Sequence, residues 1–426
     1  MLDINKIRTD VEKVKSGLKK RGWNDEKLSM IDRLVELDDK RKSFQTEMDS
    51  QLAERNALSK EIGDLFKQGK AAEAQELRDK VTALKEKIEE MSDTSGAIME
   101  EIRNLALQVP NVPNEIVPAG TSEEDNVVEQ DWQGDLPSLF DGALPHWELA
   151  EKYNLIDFKL GAEISGSGFV VFRGKGAKLE RALVSYFLDQ AGQAGYEEIM
   201  PPLLVNEKSA FATGQLPDKD GQMYYVERDD LYLIPTAEVP ITNVYRGANV
   251  KEEELPIKLC GYTPCFRREA GSYGADVKGL NRVHQFDKVE VVQITHPDNS
   301  YDTLKEMCNH VEGLLQSLGL PYRILRLCAG DLGFTSALTY DFEVYSAAQQ
   351  RWLEVSSVSN FETFQTNRLQ LKFKDADGKN QYAHTLNGSA LALARIAASI
   401  MENYQTSDGI EIPEVLQKYT GFDSIN

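Results

Sequence analysis

No run of apolar residues in this chain approaches the ~20 needed to span a bilayer. The opening stretch, MLDINKIRTDVEKVKSGLKK, interleaves charged with apolar side chains and lacks the hydrophobic segment of a secretory leader. Cysteine is scarce: four in 426 residues (Cys260, Cys265, Cys308 and Cys328), too few for a disulfide framework. Cys260 and Cys265 have neither CxxC spacing nor a nearby histidine, so no zinc is expected. These absences point to the cytoplasm. Also missing are GxGxxG and GxxxxGK[ST], so neither a Rossmann nor a P-loop phosphate cradle is indicated. There is no internal repeat and no low-complexity tract.

Positive charge is short overall, with 48 Lys and Arg against 69 Asp and Glu and a net charge of −21. That balance argues against a polyanionic partner. The deficit is uneven, however. Residues 1–110 hold 21 basic and 23 acidic side chains, which leaves −19 of the charge on residues 111–426. A nearly neutral segment on an acidic body can still meet a polyanion through local basic patches, so charge alone does not decide.

Residues 28–105 read as two long helices. Leu77, Val81, Leu84, Ile88, Met91, Ile98, Ile102 and Leu105 follow a 4-3-4-3 spacing with one miss at Ser95, the seam of a coiled coil. The first helix carries a looser stripe through Ile31, Leu34, Phe44, Met48, Leu52, Leu58, Ile62 and Leu65. Between them Gly69 can take the left-handed conformation that ends a helix, which predicts an antiparallel hairpin projecting ~55–60 Å. From pattern alone such a hairpin reads first as a dimerisation coiled coil. Lys60, Lys67, Lys70, Arg78, Lys80, Lys85 and Lys87 suit phosphate contact or a solvated face.

Pro110, Pro113, Pro118 and the polar run 121–125 mark residues 111–136 as a linker or surface strap. From residue 137 onward, strand candidates at Leu231–Ile234, Ile257–Glu269, Arg282–Thr295, Tyr340–Tyr345 and Trp352–Val358 mix with helix candidates at 177–194, 299–318 and 389–404. Strands follow one another through short connections. The expected class is therefore α+β: an antiparallel sheet flanked by helices, preceded by the helical hairpin.

Within that sheet, Arg267 and Glu269 share a strand face, although alone they read as a surface ion pair. In the next strand Arg282, His284, Phe286, Lys288 and Glu290 are expected on one face, opposite Val283, Val289 and Val291. An aromatic plate among guanidinium groups suits a nucleotide, whose base stacks while its phosphates pair. The stretch His384–Arg395 is expected to open a helix with small residues. Arg395 then sits in the apolar run ALALARIAASI, where a charge either reaches outward or meets a buried anion.

In order and spacing these segments resemble the three motifs of the class II aminoacyl-tRNA synthetases. Gly195–Pro202 is similar to motif 1, Arg267-Arg268-Glu269 with Arg282-Val283-His284-Gln285-Phe286 to motif 2, and Gly388–Arg395 to motif 3. Leu233-Ile234-Pro235-Thr236-Ala237-Glu238, Cys265–Gly271, Arg282–Glu290 and His384–Ser389 resemble the wording of bacterial-type seryl-tRNA synthetases, and the likeness covers nearly the whole chain. Serine comes from this resemblance and from nothing in composition or spacing.

The resemblance implies a 1–110 tRNA-binding arm, the 111–136 linker and a 137–426 catalytic domain in a homodimer, with motif 1 at the dimer interface. It gives Arg267 and Arg395 the catalytic roles. It places ATP on Arg267, Arg268, Glu269, Arg282, Val283, Phe286, Glu354, Val355, Ser356, Ser357 and Arg395. Serine falls on Thr236, Ala237, Glu238, Arg267, Glu290 and Ser389, and Mg2+ on Glu354 and Ser357. It also implies that serine tRNA and selenocysteine tRNA are charged. The chain departs from the family at Gly274–Lys278, poorer in basic residues and placed by the resemblance at the tRNA acceptor end. It departs again at Val358 and at Asn367 of Phe364-Gln365-Thr366-Asn367-Arg368. An amino-acid activator for a carrier protein would lack the long arm. A non-catalytic paralogue would have lost Arg267, Glu269, Glu354 or Arg395, and all four are present.

Overall fold

The computed structural model describes residues 1–270 and 278–426. It forms two compact units, Met1–Lys19 with Trp23–Pro110, and Lys20–Gly22 with Asn111–Asn426. The first begins with two short helices, α1 (Ile4–Thr9) and α2 (Val11–Lys20), and continues into α3 (Asp25–Lys67) and α4 (Ala71–Ala106). The Asn24 side chain caps α3 by accepting from the Lys27 N–H, which satisfies one of its orphan donors. Arg33 pairs with Glu101 at 2.8 Å and Lys87 with Glu47 at 3.3 Å, a pattern that runs α4 antiparallel to α3. Those exposed pairs contribute under about 1 kcal/mol each, so the seam holds the hairpin. Every predicted seam residue of α4 is buried or half-buried, and even Ser95 is half-buried.

The second unit is built on an eight-stranded sheet. Its strands are β1 (Val127–Gln130), β2 (Glu197–Glu198), β3 (Ile257–Phe266), β4 (Gln285–Thr295), β5 (Tyr322–Arg326), β6 (Leu338–Ser346), β7 (Arg351–Glu362) and β8 (His384–Ala392). The spatial order is β1-β5-β6-β7-β8-β4-β3-β2. All pairs are antiparallel except β2 with β3. The segment expected as a strap thus contributes an exposed edge strand. Five further helices concern the site: α5 (Gly174–Gln193), α6 (Glu238–Asn243), α7 (Ser300–Ser317), α8 (Phe364–Leu369) and α9 (Leu393–Asn403). Leu183 of α5, Met307 of α7 and Ile400 of α9 share one apolar cluster with Val291, Phe342 and Val358 of the sheet. Alternation sends Lys288 and Glu290 to the opposite face.

One expected element needs correction. The helix expected over 389–404 starts at Leu393, because β8 continues through Ala392. The small residues that suggested close helix packing serve a crowded central strand instead. A Cβ on Gly388 would lie 3.3–3.4 Å from Val358, Met307 and Val291. Among the described residues, no helix is long and apolar enough to cross a membrane.

Two glycines at the end of the hairpin should respond oppositely to the same change. Gly69 has φ +74°, whereas Gly63 is inside α3, and neither has an atom near its missing Cβ. Gly69→Ala should destabilise by about 1 kcal/mol and Gly63→Ala should stabilise by about 0.5–1 kcal/mol. Thermal unfolding followed by circular dichroism checks this; shifts of the same sign would refute the assigned turn.

Candidate active site

β3 ends at Phe266, and just beyond it Arg267 and Glu269 line a pair of clefts. The Arg267 guanidinium lies 5.2 Å from the centre of the Phe286 ring, and its Nε donates to the Pro235 carbonyl at 3.3 Å. Glu269 adopts φ +47°, an uncommon conformation for a residue with a side chain. There its carboxylate accepts from Arg282 at 3.1 Å. Arg395, in the first turn of α9, reaches back across the sheet. Its Nε donates to the Asn281 carbonyl at 2.9 Å, its Nη1 to the Glu354 carbonyl, and the Glu354 carboxylate is 3.9 Å away. Burial lowers the Arg395 pKa; the Glu354 charge works against that, and the charges of Arg282 and Arg267 work with it.

Two adjoining clefts of about 690 and 970 Å³ share Arg267, Glu269, Arg282, Lys288, Glu354 and Ser389. The first adds Val283, Phe286, Val355, Ser356 and Arg395, and the second adds Thr236, Glu238, Glu290 and Ser357. The first is a cationic slot with an aromatic wall. The second ends in buried carboxylates. Glu290 is paired with Lys288 at 2.7 Å and accepts from the Ser389 hydroxyl at 3.3 Å. Burial, reinforced by the Glu290 carboxylate, pushes Glu238 up to about 7.

Two bulges set these faces. Along β6, Glu343, Phe342 and Asp341 oppose Glu354, Ser356 and Ser357, so β7 carries one extra residue at Val355. Glu354 and Ser357, three apart in sequence, therefore face the same way. Burial and the nearby Glu354 charge hold Asp341, opposite Ser357, well above the carboxylate range. Between β4 and β8, Lys288 opposes Ala392 and Glu290 opposes Ser389, and Leu391 absorbs the extra residue with φ +72°.

Not every expected residue reaches the clefts. Arg268 lines neither; it lies 5.7 Å from the Tyr224 ring, and its N–H donates to the Gln222 carbonyl. Ala237 is packed against Ile241, Leu259 and Val292. The single-face expectation fails at His284, which stacks on Phe169 at 5.3 Å and contacts the Arg267 carbonyl at 2.9 Å. Residues 282–284 precede the paired strand, so alternation does not govern them, and Val283 walls the slot instead. Of the atypical positions, Val358 is core and Asn367 is buried on α8. Gly274–Val277 lies outside the described residues, while the Lys278 ammonium sits 4.2 Å from the Trp147 ring centre. Sequence reasoning missed Asn281, which holds Arg395, and Asn387 and Gln365 beside Glu238.

Comparison with known proteins agrees along the whole chain. Residues 1–113 match the model of the seryl-tRNA synthetase N-terminal domain, and residues 224–404 that of the tRNA synthetase class II core domain (G, H, P, S and T). A serine–tRNA ligase of Salinibacter ruber is 48% identical over 100% of this chain and 99% of its own length. The seryl-tRNA synthetase of Pyrococcus horikoshii, solved with ATP, superposes with a TM-score of 0.92 at 34% identity, covering 100% of this chain and 99% of that one. The cytoplasmic serine–tRNA ligase of Naegleria fowleri, solved with AMP, gives 0.89 at 28%, with the same coverage. A catalytic sheet with this cleft, the matching N-terminal helices and full-length identity at this level place the chain among the serine–tRNA ligases, class II synthetases that form aminoacyl-tRNA.

Proposed function

We propose that the chain activates L-serine with ATP in the two clefts and transfers the seryl group to the 3′ end of serine tRNA, and of selenocysteine tRNA where one exists. The observation that carries this reading is the convergence of Arg267, Arg282 and Arg395 around Phe286, beside the buried carboxylates of Glu238 and Glu290. Three cations around one ring ask for a polyanion bearing a flat base. Two carboxylates at the end of the adjoining cleft ask for an ammonium group.

In this reading Phe286 and Arg395 sandwich adenine, with Arg395 also near the γ-phosphate, and Glu269 accepts from the adenine amino group. Val283, Val355 and Ser356 wall the slot, Arg282 takes the pyrophosphate end, and Arg268 serves ATP from outside the cleft walls. Thr236, Glu238, Glu290 and Ser389 hold serine, with Ala237 packed behind them. A serine carboxylate oxygen attacks the α-phosphorus, the bond to the bridging oxygen breaks, and pyrophosphate leaves. The carboxylate is already ionised, so no general base is needed. Arg267 neutralises the charge that builds at the α-phosphate.

Glu354 and Ser357 offer hard oxygen donors on one face, which fits Mg2+. They would hold an ion that, when bound, neutralises phosphate charge. Among the described residues no cluster of three or more His, Cys, Asp or Glu side chains suits a metal. Two protein donors suffice when phosphates and water complete the shell. The hairpin of 1–110 would grip the tRNA, 111–136 would link it to the 137–426 catalytic domain, and two copies would join at motif 1, where Met200 is 88% exposed. The expected compartment is the cytoplasm.

ATP–pyrophosphate exchange tried with each of the twenty amino acids should respond to serine alone; a response to another would overturn the serine pocket. Arg395→Ala should lower that exchange by at least roughly a hundredfold, and an unchanged rate would refute its place on ATP. Because Glu238 must be charged to hold the serine ammonium, kcat/KM for serine should fall as pH drops through about 7. A profile flat from pH 8 to 6 would contradict that role. Removing residues 35–100 and joining the ends should spare exchange but cripple tRNA charging; charging that survives would leave the arm a purely structural coiled coil.

A further inference from the structure

The conspicuous residues of Phe364-Gln365-Thr366-Asn367-Arg368 are the atypical Asn367 and the charged Arg368, yet the one that reaches the site is Gln365. It is 1% exposed on the short helix α8. Its Nε2 donates to Glu238 Oε1 at 2.7 Å and to the Thr213 carbonyl at 3.1 Å, and its Oε1 accepts from the Thr385 hydroxyl at 2.7 Å. Both N–H bonds and the carbonyl are therefore committed. Exchanging amide oxygen and nitrogen would set that oxygen against the Glu238 carboxylate and the Thr213 carbonyl, acceptors with no proton between them. The Glu238 and Thr213 acceptors thus fix the amide orientation, and the Thr385 hydroxyl donates to the oxygen that this leaves facing it.

We infer that Gln365, anchored through Thr385, is a positioning residue for the serine pocket, holding the Glu238 carboxylate ionised and aimed at the substrate ammonium. This rests on the reading of Glu238 as a serine ligand. The groups facing Glu238 are Lys288 and Glu290 from β4, Asn387 from β8 and Gln365 from α8. Burial and Glu290 favour its protonation, while the donors Gln365 and Asn387 and the charge of Lys288 oppose it. An uncharged donor suits this place. A second lysine would compete with the substrate ammonium for both carboxylates, whereas an amide stabilises the anion without neutralising it.

The test is serine-dependent ATP–pyrophosphate exchange over a pH series, with the melting temperature recorded for each protein. Gln365→Met keeps the side-chain length and removes the amide. It should raise the serine KM roughly tenfold or more while the ATP KM stays within about twofold. With its donor gone, Glu238 titrates higher, so the acid limb of kcat/KM for serine should move up by roughly half a pH unit or more. Thr385→Val, which removes only the anchoring hydroxyl, should shift both in the same direction by less, and it carries the test if Gln365→Met does not fold. A lower melting temperature with unmoved serine KM and acid limb would reduce Gln365 to a packing residue and overturn the inference. Wild-type protein without serine-dependent exchange would overturn the underlying pocket reading; normal wild-type exchange with unmoved variants would overturn the role of Gln365 alone.

Discussion

Three guanidinium groups gathered on one sheet face repel one another, and the catalytic unit is arranged around containing that repulsion without cancelling it. Backbone carbonyls do most of the containing. Pro235 holds Arg267, while Asn281 and Glu354 hold Arg395. A carbonyl orients a cation but leaves its full charge available, whereas a tight carboxylate pair would neutralise it before any phosphate arrived. Glu269 meets Arg282 at 3.1 Å, and the Glu354 carboxylate stands 3.9 Å from Arg395. Dipoles fixed in advance are the economical way to stabilise charge that appears only during reaction.

The adjoining cleft poses the opposite problem, with two carboxylates kept near each other. Lys288 settles Glu290 through a direct ion pair, and Glu238 is left to neutral donors. Burial raises Glu238 to about 7, so its charge can change near neutral pH.

The parts legible in the sequence were those governed by short periods. The seam of α4 and the turn at Gly69 followed from spacing and from one glycine's freedom, and both stand in the structure. Phe286, Lys288 and Glu290 share a face because they lie within one paired strand. What stayed hidden depends on one-residue irregularities and on distant partners. The bulges at Val355 and Leu391 reset alternation, and His284 escapes it by lying before the strand begins. Small residues at 388–392 read as helix because neither neighbouring strand is visible in a single segment. Gln365 reached the site through contacts to residues 127, 152 and 20 positions away in sequence, a closure that no local pattern encodes.

The seam of α4 repeats every seven residues, and it is packed along its length against α3. Such a rod behaves as a ruler. Inserting one heptad in each helix would lengthen it by about 10 Å and restore the same register, whereas a three- or four-residue insertion would rotate the stripe and locally rewind the pair. The reach of this element can drift in whole heptads without any compensating change in the sheet, so its length and the chemistry of the catalytic unit are free to vary independently.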